Sequence, residues 1–352
     1  MREGLVPDPR GRAHSTPPAP APSGRAGASP VRPSGEGRSQ IVAYAFRRLL
    51  ALIPVLLFVS FVTFALVRLA PGDPVLIVLG GKKVDPATAA ALREQFGLVG
   101  DPFTQYVAWL GRALSGDLGE SYRLRQDVVS LIADRLPLTI QLVGLSMLLA
   151  IAVAIPLGVL QAHRRNSVID YVGSLVALIG LSAPVYFTAI VGVLVFAVWL
   201  GWLPAFGSGK DPLDQLRHLI LPAGALALGT IALTSRMTRS AMLEALSSDY
   251  IEAARAKGLP ERTVLVKHAL RNALIPVLTV TSLQVGFLLV GSVLVETTLG
   301  LGGLGSLITD AIQNRDYPVI QATVLLLTVA FSLLNLATDL LYGVIDPRIR
   351  YA

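Results

Sequence analysis

Six stretches of this chain are each apolar for long enough to cross the roughly 30 Å hydrocarbon core of a bilayer at about 1.5 Å per helical residue. They run over residues 46–69, 136–160, 171–200, 219–235, 274–297 and 319–344. No water reaches that depth to satisfy a bare backbone, so each stretch is expected to be a helix. The expected fold class is an all-α integral membrane protein with six transmembrane helices. Composition agrees, because 53% hydrophobic and 15% charged residues leave more apolar surface than a water-soluble core of this size can hide. Pro54, Pro156, Pro184 and Pro222 lie in or near these spans. Membrane helices accept proline when neighbouring groups satisfy the freed carbonyls.

Charge placement gives the expected orientation. Arg47 and Arg48, then His163, Arg164 and Arg165, then the segment 236–271, then Arg348 and Arg350 fall on one side. The positive-inside rule makes that side the cytoplasm, and an even number of spans puts both termini there. The expected location is the cytoplasmic membrane, crossed several times.

The basic character as a whole, net charge +7 with a pI near 9.9, does not read as a nucleic-acid surface. The Lys and Arg residues fall between apolar runs and form no single patch. The chain has no Cys, and His14, His163, His218 and His268 have no ligand-like spacing, so no metal site is expected. The first 40 residues hold eight Pro, six Gly and five Ser with few large apolar side chains. They lack the apolar core of a cleavable signal peptide. Residues 1–42 are therefore expected to be a disordered cytoplasmic tail, and 43–352 the six-helix domain.

On the outer side, residues 70–135 form a long loop with two helix signatures. Asp85-Pro86 and Asp101-Pro102 each supply an N-cap followed by an N1 proline. In the second helix Phe103, Tyr106, Val107, Leu110 and Leu114 share one face. Such a loop is either a folded platform for a partner or a pair of helices anchored in the membrane interface.

On the inner side, segment 236–271 is too polar to insert and too regular for a loose linker. Asp249 and Glu252 stand in the relation of a capping box, and Gly258 followed by Pro260 ends the helix between them. A helix this short is marginal alone and needs contacts to persist. Ala253 and Ala254 would let a surface approach closely, Tyr250 and Ile251 would anchor it, and Arg255 and Lys257 would pair with acidic groups at the rim. On these features alone the segment reads equally as an ordinary basic loop.

The run GluAlaAlaArgAlaLysGly at 252–258 resembles the EAA---G signature of permease subunits of binding-protein-dependent ABC importers. With the surrounding ArgSerAlaMetLeuGluAlaLeu at 239–246 and HisAlaLeuArgAsnAlaLeuIlePro at 268–276, it is similar to the dipeptide/oligopeptide/nickel branch. ArgLeuAlaProGlyAspPro at 68–74, GlyAspLeuGly at 116–119, AsnArgAspTyrPro at 314–318 and AspProArgIleArg at 346–350 extend the resemblance over nearly the whole chain. Two departures stand out. HisAlaLeuArg replaces the generic Ile-x-Leu-Pro ending, as in the peptide branch, and GlyLeuGlyGlyLeuGly at 300–305 lacks an expected Pro near Gly302, leaving the shape of that outer turn open.

The resemblance implies a type I ABC importer permease that moves dipeptides or oligopeptides, or alternatively nickel chelates or another small solute. It implies four kinds of partner: a homologous second permease, two ATP-binding subunits or domains, an extracytoplasmic solute-binding protein, and the bilayer. It also implies that Asp249, Tyr250, Ile251, Glu252, Ala253, Ala254, Arg255, Lys257 and Gly258 couple to the ATPase. No GxxxxGK[ST] loop is present, since GlySerGlyLysAsp at 207–211 lacks the flanking residues. ATP and magnesium are therefore expected on partner subunits, with no cofactor and no catalytic group on this chain. An ATP-independent channel or secondary transporter would have no use for segment 252–258.

Few polar groups fall within the spans. Gln284 and Gly291 share a face of span five. Glu296 at its outer end lines the mouth of a path or sits in headgroup water. Ser182 and Tyr186 flank a proline kink that either carries substrate contacts or is structural. These five are the candidate translocation-path residues.

Overall fold

The computed structural model describes residues 35–69, 85–95 and 99–345. Among these residues eleven helices follow in order: α1 Gly35–Leu69, α2 Pro86–Gln95, α3 Pro102–Leu114, α4 Val128–His163, α5 Val168–Ser182, α6 Val185–Trp199, α7 Pro212–Leu246, α8 Asp249–Ala256, α9 Glu261–Leu299, α10 Leu304–Gln313 and α11 Tyr317–Ile345. Among the described residues the only β-type pairing is an isolated bridge between Glu120 and Asp127. The expected tail lies mostly outside the described residues, but α1 already begins at Gly35, inside the stretch assigned to it. Residues 70–74, the end of one quoted motif, and 346–350, the whole of another, also lie outside them.

Five helices are long and apolar enough to span a membrane, and α5 and α6 together make a sixth element bent by 113°. Whether that pair crosses or turns back is decided by its neighbours. Near the C-terminal ends of α4 and α7, a β-carbon on Gly158 would stand 2.5 Å from Cβ of Thr238. Near their N-terminal ends, Asp134 and Arg135 share a cavity with Asp211 and Pro212. The two helices therefore run in the same direction, and the chain between them must return through the full thickness. The pair α5–α6 is one broken span.

The bundle thus has a basic end and a loop end. Arg48 near the start of α1 pairs with Asp339 near the end of α11 at 3.1 Å, so the first and last spans meet at the basic end. One apolar core lies toward the loop end around Leu142, Leu219, Leu226 and Leu299. A second lies at the basic end around Met242, Ile251, Val264 and Ala273. Large side chains such as Leu175, Phe187 and Phe287 are more than half exposed on the flanks, as expected where the solvent is hydrocarbon.

Two expected boundaries shift. Span four is the middle of α7, which continues through Arg236 to Leu246, and span five is the latter part of α9, which begins at Glu261. Segment 236–271 is therefore mostly the continuation of two spanning helices, and only about a dozen residues form a separate knob. The reason is local: ArgSerAlaMetLeuGluAlaLeu consists largely of strong helix formers, so nothing stops α7 where the membrane ends. α9 contains a π-type stretch at Val264–Ala269 just beyond the knob.

At the loop end, Asp101 caps α3 by accepting from the N–H groups of Phe103 and Thr104, both at 3.0 Å. The expected apolar face of α3 divides. Tyr106 packs edge-on against Phe61 of α1 and bonds Ser60 Oγ at 2.8 Å, whereas Phe103, Val107 and Leu114 are exposed.

Candidate coupling and translocation sites

α8 is seated by its own chain. Ile251 is fully buried and Ala254 nearly so, both within the basic-end core beside Met242, Val264 and Ala269. Positions 251 and 254 are one turn apart and so share a face. Glu252, Ala253, Arg255, Ala256 and Lys257 lie on the exposed face. This corrects the expected division of labour: Ala253 faces outward, whereas Ile251 and Ala254 pack into the core of their own chain and hold the helix down.

The start of α8 also differs from expectation. Its N-cap is Ser248 in extended conformation, with Asp249 as the first helical residue, so Asp249 and Glu252 form no capping box. Both carboxylates lie in the first turn, where the helix dipole favours negative charge. The end is as the sequence indicates. Gly258 has φ +75°, its N–H bonds the Arg255 carbonyl at 2.9 Å, and the Leu259 N–H bonds the Ala254 carbonyl at 3.4 Å, the paired bonds of a Schellman motif.

Two polar contacts fix the knob to α9. Arg255 forms a two-point pair with Glu261 at 2.8 and 3.2 Å, and the Asn272 amide donates to the Tyr250 hydroxyl at 2.8 Å. The ion pair is largely exposed and contributes little to stability. Its effect is to orient Arg255, and the hydrogen bond to the Glu261 carboxylate raises the guanidinium pKa above its ordinary value. Neither Glu261 nor Asn272 stood out in the sequence, since nothing local marks which side chain a turn will bring back.

The five path candidates separate into three places. Gln284 and Gly291 of α9 line one cavity of about 360 Å³ with Thr188 of α6 and Thr230 of α7. The break between α5 and α6 forms its wall through Leu181, Ala183 and Val185. Ser182 sits at that break, but its hydroxyl turns back to the Leu178 carbonyl at 2.9 Å, and Tyr186 is half exposed outside the cavity. Proline at 184 has no N–H and cannot continue the helix, which is why the 113° bend falls there.

Glu296 lines no path in this conformation and does not face headgroup water: it is fully buried. One carboxylate oxygen accepts from Thr139 Oγ1 at 2.7 Å, the other from the Gly305 N–H at 2.6 Å, and Thr139 Oγ1 in turn accepts from the Leu304 N–H at 2.9 Å. α9, α4 and the start of α10 are thereby joined at one point. The turn that lacks proline is closed by Gly300 at φ +64°, with the Leu301 N–H reaching back to the Glu296 carbonyl at 2.9 Å. Gly305 has no room for a β-carbon, which would meet the Val293 backbone.

A second clamp at the loop end was not apparent from sequence. Asp316 is buried and accepts from Ser121 Oγ and from the Tyr122 N–H at 3.0 Å, tying the loop before α4 to the start of α11. Burial, aided by the nearby Asp316 charge, pushes the Tyr122 phenol up to about 12, so it stays neutral.

Comparison with known proteins places these features in a family. The profile described as binding-protein-dependent transport system inner membrane component matches residues 154–351, and the profile of the corresponding N-terminal region matches 41–143. The dipeptide transport system permease protein DppB of Alkalihalophilus pseudofirmus is 43% identical over 335 residues, covering 88% of this chain and 100% of that protein. The di/tripeptide transport system permease protein DppB of Pseudomonas aeruginosa is 41% identical, covering 88% and 99%. A solved structure described as an inward-facing conformation of the MetNI methionine ABC transporter aligns over 61% of this chain and 96% of that one with a TM-score of 0.51 at 21% identity, a likeness of fold.

Proposed function

Because this chain belongs to the family of binding-protein-dependent transport system inner membrane components, we propose that it is a transmembrane permease subunit of an ATP-driven importer of dipeptides or oligopeptides. The observation that carries the coupling part of this reading is α8, a capped eight-residue helix held rigidly at the basic end with one face left open. The match to peptide permeases along nearly all of the chain supports the substrate class. The working assembly comprises this chain, a homologous permease, two ATP-binding subunits or domains and an extracytoplasmic solute-binding protein. ATP and magnesium act on the ATP-binding subunits.

The mechanism follows from the connections of α8. Closure of the ATP-binding subunits moves the exposed face of α8, and the packed core beneath passes that movement to α7 and α9. α9 is 39 residues long, about 58 Å at the helical rise, so a tilt at the basic end reaches the Glu296 contact at the loop end. Alternating access is then a rigid-body exchange between two packings. The cavity beside Gln284 and Gly291 is the section of the path this conformation leaves open. Its polar groups, amide and hydroxyl, suit a peptide backbone, and its apolar wall accepts varied side chains.

The test is transport. Proteoliposomes holding the full assembly accumulate a labelled dipeptide only when ATP and the loaded binding protein are both supplied. Uptake without ATP-binding subunits would overturn the reading.

Orientation is tested separately, using a chain that has no native Cys. Ala108→Cys on α3 reacts with a membrane-impermeant thiol reagent added outside intact cells, and Ser247→Cys beside α8 reacts only after permeabilisation. The reverse pattern would place the basic end outside.

A further inference from the structure

At the basic end a second cavity of about 360 Å³ opens between α4, α5 and α7, away from the coupling knob and meeting the path cavity only at Leu181. Its polar lining is Gln161, Ser174, Ser235, Arg236 and Arg239, with Leu178 and Leu181 as an apolar lip. Gln161 is buried, and its passage to the floor depends on Gly173, where a β-carbon would collide with the Gln161 amide.

The two arginines are in different states. Arg239 is ion-paired, donating from Nε and Nη2 to the two carboxylate oxygens of Asp170 at 2.6 and 2.7 Å. Asp170 is buried and also accepts from the Asn166 N–H at 3.0 Å. Arg236, one turn away and exposed, has no ion pair or hydrogen bond among the described residues. The local balance is one buried carboxylate against two guanidinium groups, so the cavity keeps a net positive charge.

Its depth identifies the kind of anion. Ser174 lies seven residues into the span from the Ser167 cap, about 10 Å along the axis, which is the level where headgroups meet acyl chains. An unpaired cation at that level requires a partner, and basic pockets between membrane helices on this side suit anionic headgroups. Leu178 is 59% exposed and Leu181 43% exposed, so an exposed apolar surface continues from the cavity along α5 toward the middle of the span. An occupant with a negative head and an apolar tail matches both parts.

We propose that this cavity binds the phosphodiester headgroup of an anionic phospholipid, with Arg236 as its charge partner and the Asp170–Arg239 pair as the floor that orients Gln161 and the helix contacts. The site stands on membrane embedding alone and is independent of what the assembly transports. An ordered anionic lipid here bridges α5, the first half of the broken span, and α7, the span that follows it.

The experiment uses the complete assembly in nanodiscs with equal amounts of phosphatidylglycerol and phosphatidylcholine, and native mass spectrometry counts the lipid retained after release. Wild type retains phosphatidylglycerol in preference, and Arg236→Gln lowers that retention about five-fold, the effect of about one interfacial cation. Arg236→Lys keeps most of it, because the charge remains. Inorganic phosphate at millimolar concentration does not displace the lipid, since it lacks the tail; displacement would mean a free phosphate site instead. Equal retention of the two lipids by wild type, or undiminished phosphatidylglycerol on Arg236→Gln, overturns the proposal, and the wild-type comparison stands even if the variant assembles poorly.

Discussion

Ala254→Arg abolishes ATPase coupling while leaving the chain in the membrane. The side chain at 254 is 6% exposed and packs with Ile251, Met242 and Val264 under α8. An arginine there must either bury an unpaired charge, at a cost of several kcal/mol, or lift the helix off its seat. An eight-residue helix has too little stability of its own to survive that loss. No spanning helix is cut, so insertion continues.

The companion variant Ala253→Arg separates seat from surface. Residue 253 is exposed, so α8 stays folded and only its exposed surface changes. Both variants lower the amount of ATP-binding subunit retained on the purified permease and the stimulation of hydrolysis by loaded binding protein. Only Ala254→Arg also speeds protease cleavage within 249–260. Gly258→Ala has the smaller effect of about 1–2 kcal/mol for a left-handed residue, because nothing stands within 4 Å of the added β-carbon. Full retention and stimulation in both arginine variants would reduce α8 to an ordinary loop.

The second large effect is at the other end. Glu296→Ala leaves the Gly305 N–H and the Thr139 hydroxyl without their acceptor in a fully buried site, a loss of about 2–5 kcal/mol summed over the two groups. The start of α10 then loses its tie to α9 and α4. Hydrogen exchange over 300–313 rises by at least an order of magnitude, and transport falls although α8 and the ATP-binding subunits remain in place. Glu296→Gln is intermediate, since the amide keeps the shape and one acceptor but presents a donor where an acceptor is needed. Thr139→Ala costs about 2–6 kcal/mol, because it leaves a Glu296 oxygen and the Leu304 N–H unpaired in a buried site. Exchange at the wild-type rate in Glu296→Ala would show that α10 is held by apolar packing alone.

Some of this was legible in the sequence and some was not, and the division follows the range of the forces. The six spans were legible because hydrocarbon admits only long apolar helices, whatever packs beside them. Asp101 as a cap and Gly258 as the left-handed end of α8 were legible because each is decided by residues within one turn. The break at Pro184 was legible as a kink, but its 113° was not, since the angle depends on what α7 and α9 leave room for.

Tertiary structure alone decided which of two adjacent alanines faces inward. Ala253 and Ala254 have the same chemistry and differ only by about 100° around the helix axis, so the core beneath α8 makes the choice. It also decided that Glu296 is a tie rather than a lining group, because its partner Thr139 lies 157 residues away. Asp316 reaches Ser121 across 195 residues, and Asp170 reaches Arg239 across 69. A buried charge must find its hydrogen-bond partners somewhere, which the sequence states as a requirement, but only the packed bundle brings the particular partners within 3 Å.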